Sequence, residues 1–344
     1  MCEELEFTMS DGLVIRGQIE GNLDSDNLIV MLHSGGYDRH ERGVKEVTKD
    51  ENGNKQIEYY NPLGNYDYLT NLLQHDYAIL RIDQRNHGQS GKNIDVEKLN
   101  ETLTTLNVSK EDISAIIQAE HARNKQALNE LIKKYPNIKD IVNRPPLKDM
   151  SFVKMKDDLK EVMKSLPQKA GKEFTSVDYV GTCMGTVVLG LYLSETQDPK
   201  ANSLTLFSPL YTFNYSFINP PEQATLLTKK KQVVESGHQF RLGNAVEGQS
   251  TFKEVKAISQ DFIQNIGNLN IPILCIQGLN DALVSRDDQD KIFLELEKYR
   301  QANGLNEIYY AEIEGVHCLY DSIFPSVLEA SDFIEGSKSK TKQI

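Results

Sequence analysis

One stretch, residues 177–190, constrains the fold of this chain more than any other. It consists of a short run of β-branched and aromatic residues, a glycine-flanked cysteine, and a run of small and apolar residues, VDYVGTCMGTVVLG. The first run is typical of a buried strand and the last of a helix. Gly181 and Gly185 each lie two residues from Cys183, and glycine permits a sharp turn there. The pattern therefore predicts a strand–turn–helix unit of an α/β fold, with Cys183 at the start of the helix.

The spacing G-x-C-x-G is that of the nucleophile elbow G-x-S-x-G, with sulfur in place of oxygen. Such a turn is strained, and we expect that a β-carbon at either glycine would crowd the following helix. The N–H groups and the dipole of a helix N-terminus favour a thiolate, which makes Cys183 a candidate nucleophile. The same pattern also fits a buried structural cysteine in a glycine-rich turn.

Two later apolar runs, 271–278 and 308–313, predict buried strands that end in polar motifs. The first is followed by Gly-Leu-Asn-Asp ending at Asp281, and the second by Glu-Gly-Val-His ending at His317. In open α/β sheets, ligands gather at the carboxyl ends of the strands. We therefore expect Cys183, His317 and Asp281 to meet there as nucleophile, base and acid.

Two earlier apolar runs, 27–32 and 77–83, also predict buried strands. The first leads into His-Ser-Gly-Gly, and the N–H of Gly35 in that loop, or of its neighbour, is a candidate oxyanion donor. The N–H of Met184, directly after the nucleophile, is the second candidate donor. The second run leads into a turn with Asp83, Arg85 and His87, which we interpret as turn architecture rather than as catalysts.

Taken as an ordered set, these motifs resemble the α/β-hydrolase superfamily in a variant with a cysteine nucleophile. The resemblance implies a mostly parallel central sheet flanked by helices, with helical cap or lid insertions. It divides the chain into a core (1–90, 151–209 and 270–336), a helical lid insertion (91–150), a cap insertion (210–269) and a flexible tail (337–344). The elbow is distantly similar to those of dienelactone hydrolases, which lack the helical insertion, and of polyhydroxyalkanoate synthases, which carry tryptophan where this chain has none.

Composition excludes several classes of function. The net charge of −12 disfavours a nucleic-acid partner, because a phosphate-binding face needs clustered lysine and arginine. No apolar run is long enough to span a bilayer, and the N-terminus lacks an apolar leader, so we expect a cytoplasmic protein. The four cysteines have neither metal-ligand nor disulfide spacing, which predicts free thiols, no metal site and no cofactor.

The resemblance implies an acyl hydrolase or acyltransferase that works through an acyl-cysteine intermediate. A thiolate is a better leaving group than an alkoxide, which favours thioesters, activated esters or lactones over ordinary fatty esters. Three alternatives stay open: a lactone hydrolase, a non-catalytic ligand-binding protein on a hydrolase scaffold, and a natural serine enzyme with cysteine introduced at 183. Partners would be small acyl esters, thioesters or lactones, with coenzyme A or an acyl carrier able to meet the lysines at 229–231. The oligomeric state is left open.

Overall fold

The structure is a computed structural model. It describes residues 2–34, 38–41, 44–49, 55–59, 63–91, 94–121, 124–143, 145–146, 151–209, 240–242, 245–247, 266–281, 286–315 and 317–341. The strands of this part are β1 (Cys2–Thr8), β2 (Val14–Gly21), β3 (Asn27–Leu32), β4 (Val44–Lys49), β5 (Lys55–Tyr59), β6 (Ala78–Asp83), β7 (Ser176–Thr182), β8 (Ala201–Phe207), β9 (Phe240–Leu242), β10 (Ala245–Glu247), β11 (Ile273–Gly278) and β12 (Ile308–Ile313). Its α-helices are α1 (Asn65–Leu73), α2 (Val96–Thr105), α3 (Lys110–His121), α4 (Lys125–Lys134), α5 (Lys139–Asn143), α6 (Phe152–Ala170), α7 (Met184–Thr196), α8 (Arg286–Ala302) and α9 (Ile323–Thr341).

Eight strands form one central sheet in the order β1-β2-β6-β3-β7-β8-β11-β12. The first two pairings, β1 with β2 and β2 with β6, are antiparallel, and the other neighbours are parallel. The predicted mostly parallel sheet is therefore confirmed. The order reverses around β3, and β7 lies beside β3 near the centre of the sheet, so the end of β7 opens where the loops of several parallel strands converge.

The sheet is buried on both faces, as the continuous apolar runs predicted. Side chains of β7 alternate, so that Val177 and Tyr179 enter one hydrophobic cluster and Val180 enters another. Helices α6 and α7 cover the first face, while α1 and α9 cover the second. This two-sided burial fixes the register of β7 and with it the position of the turn that carries Cys183.

Residues 94–143 contain four helices, α2 to α5, that pack around a hydrophobic cluster of their own. The capping pattern at 109–112 predicts a helix through Leu128 and a second helical run through Leu131 and Ile132, and the sequence did not predict α2. The boundary between the two helices lies earlier, because the Asn124 side chain caps α4 by accepting from the N–H of Ala127 at 3.0 Å. The role of this unit as a lid stays a prediction.

The end of the chain differs from the predicted flexible tail over 337–344. Helix α9 continues to Thr341, and the buried Ser337 hydroxyl bonds the carbonyl of Phe333 at 2.9 Å. The predicted cap at 210–269 lies almost wholly outside the described residues, as do the lysines at 229–231.

Candidate active site

Cys183 lies at the apex of the strand-to-helix turn. Its backbone has φ 49° and ψ −107°, a strained left-handed conformation for a residue with a side chain, and it caps α7. A β-carbon on Gly181 would come within 2.9 Å of the Gly185 backbone at the start of α7. A β-carbon on Gly185 would lie 2.2 Å from the carbonyl oxygen of Leu32. The expected crowding of the helix therefore holds for Gly181, whereas Gly185 is required because β3 packs against the turn.

The Cys183 thiol is buried, with 2% of the residue exposed, and the thiol of Cys318 is hydrogen-bonded to it. Burial raises the pKa of Cys318 well above its usual value, and its hydrogen bond with Cys183 raises that pKa further. Cys318 therefore stays protonated and can donate its S–H to a Cys183 thiolate.

The other predicted site residues are described to different extents. Asp281 follows β11, is partly buried and accepts a hydrogen bond from the Gln277 amide. His317 begins a short 3₁₀ turn after β12, but its side chain lies outside the described part of the structure. The contact of His317 with Cys183 and Asp281 therefore stays a prediction.

The two predicted oxyanion donors also differ. Met184 is the first residue of α7, and the first N–H groups of a helix have no acceptor within the helix. The Met184 N–H is thus placed directly after the nucleophile, as the elbow pattern requires. Gly35 lies outside the described residues, and its role as the second donor stays a prediction.

Sequence reasoning missed Glu41, which is fully buried beside the elbow. One carboxylate oxygen accepts from the backbone N–H of Ser34 at 2.7 Å, and the other lies 2.5 Å from the Ser34 hydroxyl and bonds the hydroxyl of Tyr320. The polar sequence of residues 38–62 predicts a segment on the surface, and this prediction is wrong for Glu41. Burial raises the pKa of Glu41 to about 8, and the negative charge of Cys183 adds to the shift, although the hydrogen bonds from Ser34 and Tyr320 oppose it.

The loops around Cys183 are tied together by further buried hydrogen bonds. Tyr66 on α1 donates to the Leu32 carbonyl at the end of β3 and lies 2.9 Å from the Thr182 hydroxyl at the end of β7. The backbone N–H of Cys318 donates to the Ser208 hydroxyl at 2.9 Å. The carboxyl ends of β3, β7 and β8 and the loop after β12 are thereby joined around the thiol. No sequence pattern indicated these bonds, because their partners are far apart in the chain.

The turn after β6 is held by buried polar contacts, in agreement with its interpretation as architecture. The Asp83 carboxylate accepts from the backbone N–H groups of Arg39 and Gln89 at 2.8 and 2.9 Å. The fully buried Arg85 binds both oxygens of Asp158 on α6, at 2.6 and 2.7 Å. Asn86 adopts a left-handed φ of 68°, which asparagine tolerates better than most residues.

The two buried histidines near this turn are neutral. His33 bonds the Ser34 carbonyl through Nδ1 and accepts from the Gln84 N–H through Nε2, a pattern that requires one proton on the ring. Burial lowers the pKa of His33 to about 4 and that of His87 to about 3. His87 packs against His33 at a ring distance of 5.1 Å and bonds the Arg85 carbonyl, which identifies it as a structural residue.

Among the described residues, no helix combines the length and the apolar character needed to cross a bilayer. The described side chains contain no cluster of three or more histidines, cysteines or carboxylates placed to hold a metal ion.

The fold matches solved structures over almost the whole chain. An esterase from Pyrococcus furiosus is 14% identical, with a TM-score of 0.54 over 97% of this chain and 92% of that one. Est1E from Butyrivibrio proteoclasticus, in a structure with ferulic acid bound, is 11% identical with a TM-score of 0.53, over 97% and 99% of the two chains. The α/β hydrolase GrgF from a Penicillium species is 12% identical with a TM-score of 0.54, over 98% and 99%.

Sequence comparisons found no counterpart: no family model matches the chain, and no curated protein matches it. Identities of 11–14% support the common fold and not a shared substrate. With the sheet order, the glycine-flanked turn and these neighbours taken together, the chain has the α/β-hydrolase fold.

Proposed function

We propose that this protein is an acyl hydrolase or acyltransferase that acts on ester or thioester bonds through an acyl-cysteine at Cys183. One observation carries the proposal: Cys183 occupies the strained left-handed turn between Gly181 and Gly185, with a thiol donor, Cys318, beside it. A strained residue at the carboxyl end of a central strand is a feature of functional sites rather than of ordinary turns. The esterase neighbours support the same class of reaction.

In the proposed reaction, the Cys183 thiolate forms a bond to the carbonyl carbon of the substrate, and the carbonyl electrons move to oxygen. The N–H groups of Met184 and Gly35 stabilise that oxyanion, and each such donor contributes a factor of about 10²–10³ in rate. The adduct collapses with cleavage of the bond to the leaving group, which takes a proton from His317. Water, or another acceptor deprotonated by His317, then releases the acyl group, while Asp281 orients the imidazole.

The nucleophile decides the preferred leaving group. When the tetrahedral adduct contains a thiolate and an alkoxide, expulsion of the thiolate regenerates the substrate. Thioesters and aryl esters have leaving groups comparable to the Cys183 thiolate or better, and release of ring strain favours the opening of a strained lactone, so these adducts go forward. We therefore expect acyl-CoA thioesters and aryl esters to be better substrates than simple alkyl esters.

Intact-protein mass spectrometry after exposure to acyl-CoAs, p-nitrophenyl esters, lactones and alkyl esters tests the proposal. The expected result is a mass increase of one acyl group, mapped to Cys183 and absent from Cys183→Ala, with turnover lost in the same variant. Adducts only with lactones would select the lactone-hydrolase alternative. Retained turnover in Cys183→Ala would contradict the proposal, and tight ligand binding without an adduct would select the ligand-binding alternative.

A Cys183→Ser variant separates thiol chemistry from a scaffold built for serine. If cysteine is the functional nucleophile, the serine variant should lose activity towards thioesters and aryl esters and lose least towards alkyl esters, because expulsion of a thiolate no longer competes with departure of the alkoxide. A serine variant that is faster than the parent on all esters would instead indicate that the site is organised for an oxygen nucleophile.

A further inference from the structure

The side chains of Glu41, Ser34 and Tyr320 form a closed triangle of oxygen atoms beside the elbow. Glu41 Oε1 lies 2.5 Å from the Ser34 hydroxyl and is hydrogen-bonded to the Tyr320 hydroxyl, and the two hydroxyls are 2.9 Å apart. The second carboxylate oxygen, Oε2, accepts from the Ser34 N–H at 2.7 Å and takes no part in the triangle. All three residues are buried, with at most 6% of each exposed.

The number of protons in this triangle decides the charge of Glu41. Three oxygen–oxygen contacts need three protons, and the two hydroxyl groups supply one each. With an ionised Glu41, one of the three contacts would bring two lone pairs together without a proton. The third proton must therefore come from the carboxyl group, so that each oxygen donates once around the ring.

The Cys318 thiol does not supply the missing proton. It is hydrogen-bonded to both Cys183 and Tyr320, so it adds one proton and two further contacts. It does connect the ring to the nucleophile, since the contacts run from Glu41 through Tyr320 and Cys318 to Cys183. A movement of Tyr320 would therefore change the hydrogen bonding of the Cys183 thiol.

The surroundings of Glu41 also favour its neutral form. The described titratable side chains that face it are Cys183 at the start of α7, Tyr66 on α1, and Cys318 and Tyr320 in the loop after β12. None of these carries a positive charge. Burial raises the pKa of Glu41 to about 8, and an ionised Glu41 would repel a thiolate at Cys183.

We propose that Glu41 is a positioning residue whose protonated carboxyl closes the ring with Ser34 and Tyr320, and so fixes the loop after β3 against the loop after β12 beside Cys183. Ser34 precedes Gly35, the predicted oxyanion donor, and Tyr320 lies three residues after His317. Loss of the Glu41 proton opens the ring and places a second negative charge beside the thiolate and the developing oxyanion. The catalytic consequence rests on the proposed function, whereas the protonated ring does not.

The pH dependence of kcat/KM for an acyl-CoA tests the consequence for catalysis. A group with a pKa near 8 that is active when protonated gives about a tenfold loss of activity between pH 7 and pH 9. Glu41→Gln keeps the same shape, and its amide can donate to both hydroxyls without titrating. The activity of this variant should therefore change less than about twofold between pH 7 and pH 9. An alkaline loss that persists unchanged in Glu41→Gln would overturn the proposal.

The matched control is Asp178→Asn, which neutralises another buried carboxyl, on β7, bonded to Ser203 and Asn202. It should retain the alkaline loss of the parent protein. Spontaneous thioester hydrolysis at high pH is measured with Cys183→Ala and subtracted. The effect should lie mainly in kcat, because the ring orients the loops that bear the reacting groups, whereas a general loss of fold would change the activity at every pH.

Infrared spectroscopy tests the ring without relying on activity. The parent protein should show the carbonyl band of a protonated carboxylic acid at pH 7 that disappears above about pH 8, and Glu41→Gln should lack it. Absence of this band would overturn the ring even in an active enzyme. The protein could also show the band with the expected titration and yet form no acyl adduct at Cys183. That result would support the protonated ring and contradict only the proposed function.

Discussion

Two buried carboxyl groups near the site, Asp158 and Glu41, show how the partner of a buried acid decides its role. Asp158 lies against the guanidinium of Arg85, which is itself fully buried and also binds Asp11 at 3.0 Å. Glu41 forms no ion pair among the described side chains and is surrounded by hydroxyls, a backbone N–H and thiols. The ion pair fixes the turn after β6 to α6, whereas Glu41 can change its charge near neutral pH beside the nucleophile.

The largest effect is expected from breaking the ion pair. Arg85→Met leaves the Asp158 carboxylate buried without its cation, and removal of one partner from a buried pair costs about 3–5 kcal/mol. Urea unfolding measures the loss in the free energy of unfolding. Arg16→Met is the control, because its pair with Glu6 is exposed and such pairs contribute less than about 1 kcal/mol. Equal losses of stability in the two variants would contradict the distinction between the buried and the exposed ion pair.

The next effect concerns the elbow itself. In Gly185→Ala the new β-carbon would lie 2.2 Å from the Leu32 carbonyl oxygen, so β3 or α7 has to shift, at a cost of about 1–3 kcal/mol. The shift should also lower the yield of the acyl adduct at Cys183. Gly336→Ala on α9 is the control: no atom of the described residues lies within 4 Å of its β-carbon, and alanine should stabilise the helix by up to about 1 kcal/mol. A Gly185→Ala protein as stable as the parent would show that the close approach is dispensable.

The third effect is the pH dependence of the free energy of unfolding, to which Glu41 and the buried histidines contribute with opposite signs. A raised pKa in the folded state stabilises the protein at low pH, and this contribution is lost as the pH rises towards about 8. The lowered pKa values of His33 and His87 act in the opposite sense and destabilise the fold as the pH falls below about 6.5. Between pH 6.5 and 8 the Glu41 contribution falls by about 1.6 kcal/mol, whereas the two histidines, half protonated in the unfolded chain at pH 6.5, together return about 0.8 kcal/mol.

Urea unfolding at pH 6.5 and pH 8 measures this difference. The parent protein should be less stable at pH 8 than at pH 6.5 by about 0.8 kcal/mol, whereas Glu41→Gln should be more stable at pH 8 by about the same amount, because only the histidine contribution remains. The destabilisation below pH 6.5 should remain in Glu41→Gln, because the two histidines are unchanged. Identical pH profiles for the two proteins would show that Glu41 does not change its protonation in this range.

The smallest effect is expected at the thiol pair. Cys318→Ala removes the S–H donor to Cys183, so the pH midpoint for alkylation of Cys183 by iodoacetamide should rise by about one unit. The measurement follows the modified peptide by mass spectrometry at a series of pH values. Cys275→Ala is the control, because this buried thiol lies on β11 and its pKa is raised to about 12. An unchanged midpoint in Cys318→Ala would contradict the role of Cys318 as donor.

Much of the fold was predictable because its signals are local. The apolar runs of β3, β6, β7 and β11 each predicted a strand buried on both faces. The prediction for the helical insertion was less accurate, because the break at Asn124 depends on a single capping residue inside an otherwise periodic stretch. Helix α9 ran past its predicted end because Ser337 packs against the preceding turn.

The sequence alone determined the strained turn at Cys183, because the two glycines that permit it are two residues away on either side. It also placed Asp281 and His317 after strands whose ends meet at one edge of a parallel sheet. Only the tertiary structure decided that Glu41 is buried, since its partners Ser34 and Tyr320 are 7 and 279 positions away and its own neighbours are polar. Patterns along a chain report which face of an element is apolar, but the charge of a buried acid depends on whether the fold brings it a cation or a hydroxyl.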